Sequence, residues 1–196
     1  DAEKIDVVPN IMEPIGGRRK ESDFILFVGN VSRDKGVPLL LDALKRVRNA
    51  PRTLIAGDGP LMDYVKQRSR GDGLDIQLLG RIPHDEVVNR MLSCRLLVFP
   101  SVWHEPLSRT LIEACTLSVP IVATDTGGTP DIIEDMKTGL MSSPEPKELA
   151  SKLSAALEDK RLRGRLAKNA KVLADKSFTE SAVIAKVQGV YRKAMS

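Results

Sequence analysis

Phe24-Ile25-Leu26-Phe27-Val28 is an unbroken apolar run closed at once by Gly29. A strand with apolar side chains on both faces must be covered on both faces, which a parallel sheet between two helical layers provides. The next segment changes period. Val37, Leu40, Leu41, Leu44 and Val47 recur at helical spacing, and Pro51 stops the helix. The alternation then repeats. Thr53–Ala56 predicts a strand, Leu61–Arg70 a polar helix, and Ile76–Leu79 a third strand ended by Gly80. Pro83 opens a helix carrying Val87, Val88, Met91 and Leu92. Leu96–Phe99 predicts the fourth strand, Pro106–Thr116 a helix, and Pro120–Ala123 the fifth strand. Ile132-Ile133 is placed on a short helix, and Gly139-Leu140-Met141 forms a last short strand.

After residue 145 only helical periodicity remains. Leu149, Leu153, Ala156 and Leu157 mark one helix, a basic stretch runs from Lys160 to Lys176, and a final helix spans Thr179–Met195. The expected fold is α/β: a Rossmann-like parallel sheet of about six strands flanked by helices, with C-terminal helices added. The organisation expected is a lead-in over residues 1–20, a binding domain over 21–176, and a terminal helix over 177–196. Ile5–Val8 predicts a short strand before Pro9-Asn10. An opening without Met suggests continuation from an upstream domain, with a processed or trimmed terminus as the alternative.

Composition narrows the function. The chain has 196 residues, 42% hydrophobic and 29% charged, which suits one globular core and argues against disorder. The net charge of +4 comes from interspersed acids and bases, and aromatics are few, so nucleic acid is not an expected partner. Cys94 and Cys115 show no metal-ligand spacing with each other or with His84 and His104. They are expected to be buried thiols in a reducing compartment, which places the protein in the cytoplasm. The basic stretch is expected to be a solvated helix face, with anionic lipid as the alternative partner.

Four turns carry candidate chemistry. The first is Gly29-Asn30-Val31-Ser32-Arg33-Asp34-Lys35-Gly36, between a buried strand and a helix N-terminus. Its glycines allow close backbone approach, and Arg33 and Lys35 add positive charge, so a diphosphate site or an ordinary solvated turn both fit. The second, Ala56-Gly57-Asp58-Gly59-Pro60, lacks the dinucleotide fingerprint and reads as a tight turn. The third runs from Ser101 to Glu113, with Glu105 and Glu113 eight positions apart. Pro106 at the first helical position would put Glu105 at the N-cap and Glu113 about 12 Å further along the axis. Glu105 then serves as a cap or as a ligand contact. Glu113 lies among apolar neighbours and requires a partner or a ligand. His104 remains ambiguous, and Trp103 is expected in the core or in a pocket wall. The fourth is Thr124–Asp131, where Gly127-Gly128 lets backbone pass close to a ligand.

The order and spacing of these pieces resemble the C-terminal, donor-binding domain of the family 4, or group 1, retaining glycosyltransferases of GT-B fold. The resemblance covers nearly the whole chain: Val8-Pro9-Asn10, Phe27-Val28-Gly29 with Lys35-Gly36, Ala56–Pro60, Leu79–Pro83, Pro100-Ser101, the E-x7-E pair Glu105 and Glu113, and Gly127-Gly128. It implies a transferase passing a hexose from a nucleotide-diphosphate sugar to an acceptor. Lys35 would contact the diphosphate, Glu113 the ribose, and Glu105 the sugar near the reacting centre. Backbone at Ser108 and Arg109 would meet phosphate, Arg81-Ile82 would flank the base, and Gly127-Gly128 would approach the donor.

Two departures from the family pattern stand out. Asn30 occupies a position usually held by Arg, with Arg33 offering that charge from elsewhere, and Pro106–Arg109 replaces a glycine-bearing loop, so that either its backbone lies differently or Arg109 reaches phosphate directly. The implied mechanism uses fixed cations and no metal or cofactor. The acceptor would sit on a missing N-terminal domain, bridged by the last helix, with membrane contact through the full-length protein. A stand-alone nucleotide-binding or regulatory domain, and a related GT-B enzyme such as a nucleotide-sugar epimerase or glycogen synthase, remain open alternatives.

Overall fold

A computed structural model describes residues 6–12 and 15–195. Six strands form one parallel sheet: β1 (Phe24–Val28), β2 (Arg52–Ala56), β3 (Ile76–Gly80), β4 (Leu96–Phe99), β5 (Ile121–Thr124) and β6 (Leu140–Ser142). Their spatial order is β3-β2-β1-β4-β5-β6, and every pair is parallel. The central strands β1, β4 and β5 are buried almost throughout, which accounts for their continuous apolar sequences. The edge strand β3 is only partly buried and carries Gln77.

Two helical layers cover the sheet. On one face, α1 (Val37–Leu44), α2 (Met62–Asp72) and α5 (Pro146–Glu158) pack over Ile25, Phe27, Ile55, Leu96, Val98 and Val122. On the other, α3 (His84–Ser93), α4 (Arg109–Thr116) and α6 (Lys160–Ser177) cover Leu26, Leu54, Leu97, Phe99, Ile121 and Ala123. Side-chain alternation along each strand assigns these two sets to opposite faces. Arg163 of α6, nearly fully buried, donates to the carbonyls of Ala156 and Leu157 at 2.7 and 3.0 Å and pairs with Glu21 at 2.9 Å. It satisfies the C-terminal carbonyls of α5, which have no partner within the helix.

Several expectations need correction. α1 ends at Leu44 rather than reaching Val47; Asn49, with φ 53°, lies in the turn that leads to Pro51. The helix expected from Pro106 begins at Arg109, because Ser108 is the cap: its hydroxyl accepts from the Leu111 amide at 3.5 Å. A hydroxyl at extended φ and ψ fulfils that role directly, so Pro106 and Glu105 stay in the preceding loop. Ile132 and Ile133 follow a 3-10 turn at Thr129–Asp131 and do not sit on a helix of their own. Asp6–Val8 form no strand; Ile5, the first residue of that expectation, lies outside the described residues. Trp103 is 61% exposed and therefore lies outside the core.

The last helix, α7 (Glu180–Met195), buries only Val183, while Ile184, Tyr191 and Met195 are exposed. Cys94 and Cys115 are free and buried, and burial pushes each thiol up to about 12. Relative to the ordinary thiol, that leaves roughly a thousandfold less thiolate at alkaline pH. Iodoacetamide at pH 8.5 is therefore expected to leave the folded protein unlabelled and to label both cysteines in guanidinium, as read by mass spectrometry.

Close packing of backbone against backbone gives a second prediction. Gly36 has φ 70°, and a Cβ there would sit 1.7 Å from the Pro100 carbonyl oxygen. Gly36→Ala is expected to destabilise by roughly 3 kcal/mol in urea unfolding. Gly164→Ala, in open space on α6, is expected to stabilise by about 0.5–1 kcal/mol.

Candidate functional site

The strand order reverses between β1 and β4. Chain leaving β1 turns toward β2, and chain leaving β4 turns toward β5. At such a point the two outgoing loops diverge and leave a crevice at the carboxyl edge of the sheet. Most of the candidate residues lie on this edge.

The loop after β1 is fixed by its neighbours. Gly29 donates to the Ala56 carbonyl at 3.0 Å, Val31 to Asp58 at 2.9 Å, and Leu61 to Val31 at 2.9 Å. These bonds lock the first and second turns together, so the second turn, read from sequence as a tight connection, also braces the first. Asn30 lies against Gly59, where a Cβ would come within 2.5 Å of its Oδ1. Arg33 is exposed; its carbonyl accepts from Gly36 N at 2.9 Å, while its guanidinium makes no hydrogen bond or ion pair among the described residues. The Asp34 carboxyl is held below its ordinary range, first by the Ser32 hydroxyl and then by other groups including the Lys35 charge.

The loop after β4 meets it. Lys35 Nζ and Glu105 Oε1 lie 2.5 Å apart, and Ser101 Oγ donates to the same carboxylate oxygen at 2.9 Å. Val102 N donates to the Asp34 carbonyl at 2.9 Å. From β5, Thr124 Oγ1 and Thr126 Oγ1 both donate to the Ser101 carbonyl, at 2.5 and 2.7 Å. Both members of the ion pair are about three-quarters shielded, so their attraction is stronger than that of a surface pair. Glu105 is therefore held across the crevice by Lys35, in place of the expected N-cap position.

The Gly127-Gly128 loop closes the third side. Gly128 N donates to the Glu105 carbonyl at 2.6 Å, and Gly127 takes φ 55°. A Cβ on Gly128 would lie 1.4 Å from the Pro106 carbonyl oxygen, and one on Gly127 2.5 Å from that of Glu105. The two glycines are required by this backbone crossing, whether or not a ligand is bound. Ser108 then caps α4, whose first amides, at Arg109 and Thr110, have no partner within the helix and give its start a partial positive charge.

Glu113 sits in the second turn of α4 with its side chain 5% exposed. Its Oε1 is met by His84 Nε2 and by Arg109 Nε, each at 3.0 Å. Its Oε2 accepts nothing among the described residues and is not sealed from solvent. The Arg109 side chain lies along α4 toward Glu113. Arg81 is exposed, and Ile82 packs at the edge of the core just before His84. His104 is exposed.

The structure thus gathers Lys35, Glu105, Gly127 and Gly128 into one cluster at the switch point. It places Glu113, Arg109, Arg81 and Ile82 around the starts of α3 and α4. Ser101, Thr124 and His84 belong to this framework, although sequence reasoning assigned none of them a role of its own at the site. Besides nearby groups such as the Glu105 carboxylate, the partners of Ser101 are distant in sequence: the Asp34 carbonyl and the hydroxyls of Thr124 and Thr126. His84 is 29 residues from Glu113 and, following the helix-opening Pro83, gave only its place on the rim as a signal. No group of three or more His, Cys, Asp or Glu side chains able to hold a metal occurs among the described residues.

A six-stranded parallel sheet with its loops converging at the β1/β4 switch point defines a Rossmann-like α/β domain. Residues 10–173 match the family described as Glycosyl transferases group 1, and the chain belongs to that family. It is 30% identical over 175 residues to alpha-D-kanosaminyltransferase of Streptomyces kanamyceticus, covering 86% of this chain and 45% of that protein. It is 33% identical over 173 residues to an uncharacterized glycosyltransferase of Methanocaldococcus jannaschii, covering 87% and 48%. The chain spans about half the length of these curated relatives. Among solved structures, HepE of Anabaena in complex with UDP superimposes with a TM-score of 0.77 at 26% identity, over 89% of this chain and 49% of that one. The galactosyltransferase WaaB shares the fold, with a TM-score of 0.85 at 20% identity over 99% of this chain and 57% of that one.

The Lys35–Glu105 pair supplies a direct test of this geometry. In a double-mutant cycle with Lys35→Met and Glu105→Gln, the two side chains are expected to show a coupling of about 1–2 kcal/mol in urea unfolding. A coupling near zero would mean that the two loops are not held together in solution.

Proposed function

We propose that this chain is the donor-binding part of a retaining glycosyltransferase, which passes a hexose from a nucleoside-diphosphate sugar to an acceptor held by a second domain. The observation that carries this reading is the pairing of two features on one rim. The Lys35–Glu105 ion pair stands at the switch point, and a buried carboxylate with one open oxygen stands in the second turn of the helix that follows. Anabaena HepE, similar in fold and sequence, was solved with UDP and with UDP-glucose, which supports a nucleotide-sugar as ligand here.

In this reading the diphosphate lies between Lys35 and the start of α4. Arg33 and the amides at Ser108 and Arg109 add positive charge, with Asn30 beside them. Gly127 and Gly128 let backbone approach the donor, Glu113 accepts from the ribose, and Arg81 and Ile82 flank the base. Breaking the sugar–phosphate bond leaves a diphosphate anion and a sugar with cationic character. Fixed cations and helix-end amides stabilise the anion as it forms, without rearrangement during the step. Glu105 orients the sugar from the opposite side of the ion pair. Donor binding therefore exchanges the Lys35–Glu105 contact for contacts of each partner with the donor. The acceptor approaches on the face of the departing phosphate, so configuration is retained.

Calorimetry with UDP, GDP and ADP tests the binding claim. At least one is expected to bind weakly, and Lys35→Ala is expected to weaken it by about 10- to 100-fold, the loss of a charge-assisted hydrogen bond. No heat with any of the three would overturn the reading. With the second domain present, the anomeric configuration of the product, read by NMR, is expected to match that of the donor; inversion would reject the retaining assignment.

A further inference from the structure

Glu113 is held at one oxygen and free at the other. Arg109 approaches from one turn earlier on the same helix, with a side chain 73% exposed. His84 approaches from α3, a separate element. Because a carboxylate only accepts, the proton of that contact belongs to Nε2 of the imidazole. The two donors fill Oε1 from different directions.

We propose that His84 is a positioning residue: it fixes the Glu113 carboxylate so that Oε2 faces a vicinal diol, the ribose of the nucleotide donor. This rests on the nucleotide-sugar reading given above. The terminal torsion of a glutamate is broad and two-fold, so a buried carboxylate with a single tether samples a range of orientations. Arg109 alone supplies such a tether, flexible and largely in solvent. A second donor from α3 sets the plane of the group and leaves the lone pairs of Oε2 for two adjacent hydroxyls. Support of this kind around a binding group determines whether its geometry is productive. Arg81 and Ile82 lie three and two residues before His84, so the residues proposed to flank the base and the residue that aims the ribose contact lie on one short segment.

The test compares UDP, GDP and ADP with their 2′,3′-dideoxy counterparts by calorimetry, in wild type, His84→Ala and His84→Gln. The His84 side chain is 57% exposed at the first residue of α3, so both variants are expected to fold, checked by circular dichroism. A Gln amide reaches the place of Nε2 and donates as it does. His84→Ala is expected to weaken the ribonucleotide roughly tenfold, as for a lost hydrogen bond to a charged group, and to leave the dideoxy form unchanged. His84→Gln is expected to restore most of that loss. Equal losses for both ligand series, or no loss in His84→Ala, would overturn the role of His84 while leaving the nucleotide reading intact. Failure of wild type to bind any ribonucleotide would overturn that reading and this proposal together.

Discussion

The closeness of backbone to backbone at the switch point governs this structure. Gly36 lies against the Pro100 carbonyl and Gly128 against the Pro106 carbonyl, with no room for a Cβ at either place. These contacts bring the loops after β1, β4 and β5 within side-chain reach of one another. Only then do Lys35 and Glu105 meet, and only then does Ser101 join them. Glycine is needed here for space as much as for its backbone angles.

The sheet places this crossing and the helices complete it. Central strands buried on both faces hold β1 beside β4 and β4 beside β5. α3 and α4 pack on the same face, so their starts are neighbours on the rim. A contact such as that of His84 with Glu113 follows from this adjacency. The opposite end of the domain, where Arg163 satisfies the end of α5, is built for stability and carries none of these groups.

Much of the fold could be read from the chain because its strands are short apolar runs with glycine stops and its helices keep a regular period. The start of α4 could not. Pro106 and Ser108 both suit a helix start, and the choice rests on which position takes the cap geometry and on the Lys35 ion pair that draws Glu105 away. That partner is 70 residues distant, beyond any local pattern. The burial of Glu113 was legible from Leu111, Ile112, Ala114 and Cys115, but its partner across α3 was not. Trp103 was misplaced because aromatic character says nothing about whether a loop folds inward. The shared membership of Lys35, Glu105, Gly127 and Gly128 in one cluster was expected only through family resemblance, since each motif alone suits an ordinary turn.

The central claim is that a nucleotide-sugar lies along the carboxyl rim, from the Lys35–Glu105 pair to Glu113. Amide chemical-shift mapping of the labelled protein during a UDP titration addresses it most directly. The account predicts shifts confined to residues 29–36, 81–84, 105–113 and 127–128, with the basic face of α6 silent. Shifts centred on residues 160–176 instead, with the rim unmoved, would contradict it.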